Sequence, residues 1–238
     1  MPQLCPYCNL RPGTTKDHII PKALYQTPYP KKMLTIKACG WCNQEKGKLD
    51  TYFRDYTVVN METASSRHAR ALADGIKRST RRNQSEFMKH SRLHLQYADL
   101  HTKNGIFLGR LPIVPVDDKK VERYLDLIAR GLSLRLCKAR IPNDYQAAVR
   151  TIPIGERVEF LKTFNSAEFR PQVFAQESEV FCVFYIQIPE FPAMSIWLMV
   201  FFDSIIHIVD FDPLPEVLEQ MLSTERDRGR EAFLKELQ

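Results

Sequence analysis

The chain has 238 residues, of which 44% are hydrophobic, and it carries a formal net charge of +6. This size allows one large domain or two small ones with a hydrophobic core, and six cysteines are too few for a disulfide scaffold of this length. No run of about 18 apolar residues indicates a membrane span. Residues 1–5 lack the basic and apolar regions of a secretory signal, so we expect a cytoplasmic, reducing setting.

Charge is distributed unevenly along the chain. Residues 1–152 hold 27 Lys or Arg and 13 Asp or Glu, whereas residues 153–238 hold 7 and 15. A basic front half predicts a polyanion as partner. The alternative is a bipolar protein whose charges only interact with solvent.

Two short strands and a helix are predicted in residues 1–58. Residues 15–19 and 33–38 have the composition of strands, and the Pro-containing segment 25–32 between them must be a loop. From Asn43 onward, apolar residues recur at helical spacing.

Residues 59–152 form a second region that is rich in basic side chains and predominantly helical. The helical pattern continues to about residue 100, and residues 105–115 form a connector. Another amphipathic helix follows Asp117.

Residues 153–238 form a third, acidic region. Aromatic and β-branched residues predict strands in four runs: 157–162, 180–188, 196–202 and 205–211. The whole chain is therefore predicted to be an α+β protein. It would have an N-terminal strand–strand–helix unit, central basic helices and a C-terminal, mainly antiparallel β region with flanking helices.

The N-terminal unit contains two Cys-x-x-Cys pairs, formed by Cys5 with Cys8 and by Cys39 with Cys42. Each pair places two sulfurs on one tight turn, so the four together can complete a tetrahedral zinc site. The pairs are separated by 30 residues, more than the roughly 15–20 of zinc ribbons. The segment between them must therefore have structure of its own. A redox pair or a coincidence of spacing is the alternative.

An Asp-His step lies between the two cysteine pairs. Asp17 and His18 end the first predicted strand with their side chains on opposite sides, and Asn43 directly follows Cys42. Carboxylate and amide oxygens suit a hard divalent cation, and a zinc at Cys42 would fix the position of Asn43. A hydrogen-bonded structural role is the alternative for His18.

These motifs resemble those of the HNH endonucleases that have a zinc-knuckled ββα-metal motif. The resemblance rests on Cys5-Pro-Tyr-Cys8, Lys16-Asp-His-Ile-Ile-Pro21 and Cys39-Gly-Trp-Cys-Asn-Gln-Glu-Lys-Gly-Lys48, in that order. It covers roughly residues 3–56 and implies that residues 1–58 are a ββα-metal nuclease module. It further implies hydrolysis of phosphodiester bonds in DNA, or in RNA.

The resemblance also assigns roles to individual residues. His18 would be the general base that activates a water, and Asp17 and Asn43 would hold a divalent cation, Mg²⁺ or Mn²⁺. Lys46 and Lys48 would lie on the helix that fits a DNA groove. A structural Zn²⁺ would be held by Cys5, Cys8, Cys39 and Cys42.

The chain departs from the family pattern at one position. The middle Asn of the HNH pattern shapes the loop before the second strand, and this chain has Lys31 or Lys32 there. The replacement would affect the efficiency of catalysis more than the fold. Either Lys could contact phosphate instead.

The central helices predict further contacts with the DNA backbone. The basic side chains along them are Arg67, Arg70, Lys77, Arg78, Arg81 and Arg82. Such a row would bind phosphates without sequence preference, and a solvated helical face is the alternative. Two other hypotheses stay open. One is a zinc-stabilised nucleic-acid-binding protein without catalysis, and the other is a nuclease module whose region 153–238 binds a protein partner or a second copy of the chain.

Overall fold

The N-terminal unit has the strand–strand–helix order that its sequence predicts. The computed structural model describes residues 3–81, 86–164, 170–188 and 191–217. Strands β1 (Thr15–His18) and β2 (Thr35–Ala38) form an antiparallel hairpin in which Asp17 pairs with Ile36. Helix α1 (Gly40–Val59) follows at once, and the Cys39 sulfur caps it by accepting a bond from the Cys42 backbone N–H at 3.4 Å.

The central region contains the predicted helices and one hairpin that was not predicted. The helices are α2 (Arg67–Arg81), α3 (Glu86–His94) and α4 (Asp118–Leu132). Asp117 caps α4, as its position before the amphipathic stripe indicates. Between α3 and α4, strands β3 (Gln96–His101) and β4 (Phe107–Ile113) form an antiparallel hairpin. The helical prediction to residue 100 is therefore wrong beyond α3.

The C-terminal region is built on a five-stranded antiparallel sheet with the strand order β5-β9-β8-β7-β6. Its strands are β5 (Tyr145–Thr151), β6 (Gln172–Gln176), β7 (Phe181–Gln187), β8 (Ser195–Phe201) and β9 (Ile205–Pro213). The prediction of an α+β protein is confirmed. The sheet also takes strand β5 from residues that the sequence assigned to the central region.

One predicted strand in this region is a helix. Residues 157–162 belong to α5 (Arg157–Phe164). Phe160, Leu161 and Phe164 have helical spacing, and all three pack in one apolar cluster against the outer face of the sheet. A short apolar run with this spacing can form a strand or a helix. Here it forms a helix, because this places its apolar side chains against the sheet.

The larger of two buried core clusters in the described part of the chain runs through all three predicted regions. Phe53 of α1 contacts the ring of Tyr124 in α4 at 4.5 Å and the ring of Phe201 in β8 at 4.9 Å, measured between centroids. Helix α4 approaches the N-terminal unit closely at Gly131, where an added Cβ would lie 3.1 Å from the Ile19 side chain. Within the described ranges, no helix is both long and apolar enough to cross a membrane.

Candidate metal centre

The four N-terminal cysteines come together at the base of the β1–β2 hairpin. Their sulfur atoms all lie within 4.8 Å of one another, and a tetrahedral zinc–thiolate site requires sulfurs about 3.8 Å apart. Three of the four residues are buried: Cys5, Cys39 and Cys42. The cluster could hold a metal ion such as zinc. Within the described ranges, no other group of three or more His, Cys, Asp or Glu side chains brings its ligand atoms this close together.

The first cysteine pair is fixed by a compact loop. The Cys5 backbone N–H donates to the Arg11 carbonyl at 2.8 Å, and the Cys5 carbonyl accepts from Asn9 at 2.8 Å. Gly13 then passes so close to β2 that an added Cβ would lie 2.5 Å from the Lys37 carbonyl oxygen. The side chain of Asn143, which is distant in sequence from this loop, donates to the Cys8 carbonyl at 2.9 Å. The sulfurs are thus positioned by backbone contacts as well as by any bound metal.

The thiols of the cluster differ in acidity. Burial raises the pKa of Cys39, but hydrogen bonds from Cys42 and from the Cys5 and Cys8 side chains outweigh it and lower that pKa to about 7. Burial raises the pKa of Cys5 and Cys42. The Cys39 thiol is therefore partly ionised to the thiolate at neutral pH. A cation bound among the four sulfurs would lower the pKa of the other thiols and stabilise them as thiolates.

Asp17 faces helix α1 and is nearly buried. Its Oδ2 atom accepts a hydrogen bond from the Tyr7 hydroxyl at 2.5 Å and lies 3.5 Å from the Lys46 ammonium. Burial and the neighbouring Asp17 raise the pKa of Tyr7 well above its ordinary value, so this phenol stays protonated and donates. Both of these partners contact Oδ2, so the other carboxylate oxygen, Oδ1, is the one that could serve a divalent cation.

Lys46 is a buried internal cation and not a surface contact for DNA. It has no exposed surface, and its ammonium donates to the His18 carbonyl at 2.9 Å and to Asp50 Oδ1 at 3.0 Å. With Asp17 at 3.5 Å, it neutralises part of the charge of two carboxylates. The prediction that Lys46 binds DNA is therefore wrong, because the network draws its ammonium into the interior.

The His18 side chain lies on the other side of β1 and is half-buried. Burial, followed by the neighbouring Lys22, lowers the pKa of this imidazole below its usual value near 6.5. His18 is therefore neutral at pH 7, the form that can accept a proton. Its backbone is fixed by the bond from Lys46.

Asn43 is half-buried at the beginning of α1. Its side-chain NH₂ donates to the Thr15 hydroxyl of β1 at 3.1 Å. This bond joins the helix to the strand and fixes the orientation of the amide, whose oxygen would bind a cation. A carboxylate oxygen and an amide oxygen are hard donors, which fits a cation such as Mg²⁺ that keeps most of its waters.

The other predicted DNA contacts are distributed over several surfaces. Lys31, Lys32, Lys48 and the α2 residues Arg70, Lys77 and Arg78 are exposed. Lys48 forms an ion pair with Glu45 at 2.6 Å, and Arg67 donates twice to Glu179 of the acidic region, at 2.9 and 3.0 Å. Arg67 is thus partly neutralised by the protein itself. Arg81 ends α2, and Arg82 lies outside the described residues.

Sequence reasoning did not identify Tyr7 and Asp50 as parts of the site. Asp50 lies four residues after Lys46, which is the spacing of an ion pair on a helix, so this contact could have been predicted from the sequence. Tyr7 gave no such signal, because its contact with Asp17 depends on the path of the cysteine loop.

Comparison of the chain with models of protein families, with curated proteins and with solved structures finds no match.

Proposed function

We propose that the protein is a metal-dependent endonuclease of the HNH type that hydrolyses phosphodiester bonds in DNA. The observation that carries this proposal is the joining of two motifs. The four-cysteine cluster ties the loop before β1 to the start of α1, and the Thr15–Asn43 bond then connects the strand of Asp17 and His18 to the helix of Asn43. A structural Zn²⁺ in the cluster would hold the strand that carries Asp17 and His18 and the helix that carries Asn43 in a fixed relation to each other.

In this proposal His18 acts on a water molecule. The neutral imidazole accepts a proton from water, the hydroxide forms a bond to phosphorus, and the bond from phosphorus to the leaving oxygen breaks. Asp17 and Asn43 would hold Mg²⁺ or Mn²⁺. That cation would stabilise the charge on the phosphate and on the leaving oxygen.

The buried ion network supports the proposed roles. Lys46 compensates the charge of Asp17 and fixes the His18 carbonyl, so one residue orients both members of the Asp-His step. Exposed cations at Lys31 and Lys32, in the loop before β2, would contact the DNA backbone. Binding of a protein partner or a second copy through residues 153–238 stays a separate prediction.

A cleavage assay tests the proposal. Supercoiled DNA is incubated with Mg²⁺ or Mn²⁺ and either the wild-type protein, His18→Ala or the matched control His101→Ala, which changes an exposed histidine on β3. We expect His18→Ala to lose at least about 100-fold in rate with unchanged zinc content and folding. We expect the control to keep its activity. Full activity of a clean His18→Ala preparation would refute the mechanism.

A nucleic-acid-binding protein without catalysis is the second candidate. The observation that favours it is the double engagement of Asp17 Oδ2 by Tyr7 and Lys46, which reduces the capacity of this carboxylate to bind a metal. Salt-dependent DNA binding without cleavage under any divalent cation would decide for this candidate.

A further inference from the structure

The two tryptophans of the chain lie in opposite environments. Trp197 is completely buried in the sheet, whereas 55% of the surface of Trp41 is exposed. Trp41 belongs to the first turn of α1, directly before the cluster residue Cys42. An indole is a large apolar surface, and leaving it in water forgoes a large gain in stability. A position next to a rigid cluster makes Trp41 a fixed, accessible ring.

Trp41 lies at the edge of a cleft of about 1030 Å³ between the outer face of α1 and the N-terminal ends of α3 and α4. Four cationic side chains line it: Lys48, Lys119, Lys120 and Arg123. Its three acidic side chains all have cationic partners, since Glu45 pairs with Lys48 at 2.6 Å, Glu86 with Lys89 at 2.8 Å and Asp117 with Lys120 at 3.2 Å.

The ring of Trp41 already has one cationic neighbour. The Arg11 guanidinium lies 5.1 Å from the ring centroid, and Arg11 itself is exposed. An exposed ring with a guanidinium beside it and a partly basic cleft next to it has the composition of surfaces that bind single-stranded nucleic acids.

The cleft is separate from the proposed cleavage site. Cleft residues Gln44 and Lys48 lie on the side of α1 away from β1, whereas Asn43 and Lys46 face β1. A helix with its side chains is about 10–12 Å across. A nucleotide at Trp41 would therefore be a different one from the nucleotide whose phosphate is attacked.

We propose that Trp41 and this cleft bind a single-stranded segment of nucleic acid, with the indole stacked on an unpaired base. Arg11 and Lys119 contact the phosphates on either side. The proposal extends the proposed nuclease to substrates that have unpaired bases, and it rests on that function for the cleavage step only. The lining carries four positive against three negative charges, which is a small excess. Recognition therefore depends on the ring more than on charge, and this favours a nucleic acid over an acidic peptide.

The position of the two tryptophans provides the measurement. Trp41 is exposed and Trp197 is buried, so a bound base changes the emission of Trp41 alone. The wild-type protein is titrated with a thymidine dodecamer, with an abasic dodecamer of equal charge and with a glutamate peptide. No divalent cation is added, so no cleavage takes place. We expect the thymidine dodecamer to quench the emission and the abasic strand to leave it unchanged.

Three variants complete the experiment. Trp41→Phe should show no change in emission on binding, and Trp41→Ala should bind the thymidine dodecamer roughly 5- to 150-fold more weakly, as measured by anisotropy. The control Tyr97→Ala removes an aromatic residue on β3 that is 65% exposed, and it should bind as the wild type does.

The outcomes separate this proposal from the nuclease proposal. Equal binding of thymidine and abasic strands, unchanged binding by Trp41→Ala, or an equal response to the glutamate peptide would overturn the stacking site. If cleavage remains in that case, the nuclease proposal stands. Base-dependent quenching, together with an absence of cleavage in the separate assay with Mg²⁺ or Mn²⁺, would support the stacking site and refute the nuclease.

Discussion

The N-terminal unit and the five-stranded sheet are held together by different interactions. Strands β1 and β2 have four residues each, and the side chains between them and α1 include the charged Asp17 and Lys46. The strands of the sheet have five to nine residues, and its interior is aromatic and aliphatic. Short strands bury little apolar surface, so the N-terminal unit adds ions and thiols to the hydrophobic core that it shares with the sheet.

This difference explains where the chemistry can lie. Charged side chains are stable in the N-terminal unit because they neutralise one another, as Lys46 does for Asp17 and Asp50. In the sheet, by contrast, the buried His207 lies beside the rings of Phe53 and Phe201 and stays neutral. The sheet provides a rigid base for α1 and α4. The N-terminal unit carries the candidate site.

Loss of the cysteine cluster should have the largest effect. We expect Cys39→Ala to lose its bound zinc and several kcal/mol of unfolding free energy, because a structural zinc contributes about 10–16 kcal/mol in zinc-finger peptides. Metal analysis measures the bound zinc, and urea unfolding measures the free energy of unfolding. Amide exchange should increase first in α1 and only later in β8.

The matched control is Cys182→Ala, which removes a half-buried thiol from the sheet. We expect this variant to keep the metal and to lose about 1 kcal/mol of unfolding free energy. Should Cys39→Ala retain both metal and stability, the cluster would not be a structural metal site.

Removal of the internal cation should have the second largest effect. Lys46→Met leaves Asp17 and Asp50 without their shared ammonium, and breaking a buried ion pair in this way costs about 3–5 kcal/mol. Urea unfolding of Lys46→Met and of the control Lys48→Met tests this. Lys48 is 63% exposed, so its substitution should change the unfolding free energy by less than about 0.5 kcal/mol. Equal, small effects of both variants would show that the ion network does not hold the unit together.

Local patterns were sufficient to predict the parts that depend on nearby residues. The order of β1, β2 and α1 follows from periodicity and proline positions, and the cysteine cluster follows from two tight turns. The capped start of α4 is likewise a local signal. Each turn, strand and cap among these features is determined within a few residues of the chain, and the cysteine spacing marks the two turns that come together.

The errors arose where distant contacts decide the structure. The sequence around Lys46 is typical of an exposed lysine, and its burial depends on ion pairs with Asp17 and Asp50. Strand β5 alternates only weakly between apolar and polar residues, and it becomes a strand by pairing with β9. Strand β3 was predicted as the end of a helix and strand β4 as part of a connector, and their pairing with each other settles the structure. No local pattern contains this information.

The smallest expected effect is a pH dependence that originates in the sheet. Burial, and then the nearby Arg157, lower the pKa of His207 to about 3, whereas the unfolded chain titrates near 6.5. Below pH 6.5 the unfolded state therefore binds a proton that the folded state does not bind, and stability falls as the pH falls. Between pH 7 and 5 this amounts to about 2 kcal/mol.

Urea unfolding at pH 7, 6 and 5 isolates this contribution when the wild type is compared with His207→Phe. The variant loses the bond between His207 Nδ1 and the Thr151 hydroxyl, 2.9 Å long, and is expected to be less stable at pH 7. It should lose less stability than the wild type on acidification, because it lacks the titrating group. His101→Gln, an exposed control on β3, should follow the wild-type pH profile. Parallel pH profiles for wild type and His207→Phe would mean that His207 takes up its proton at the same pH in the folded and unfolded protein. The apolar character assigned to the sheet interior would then be wrong at its centre.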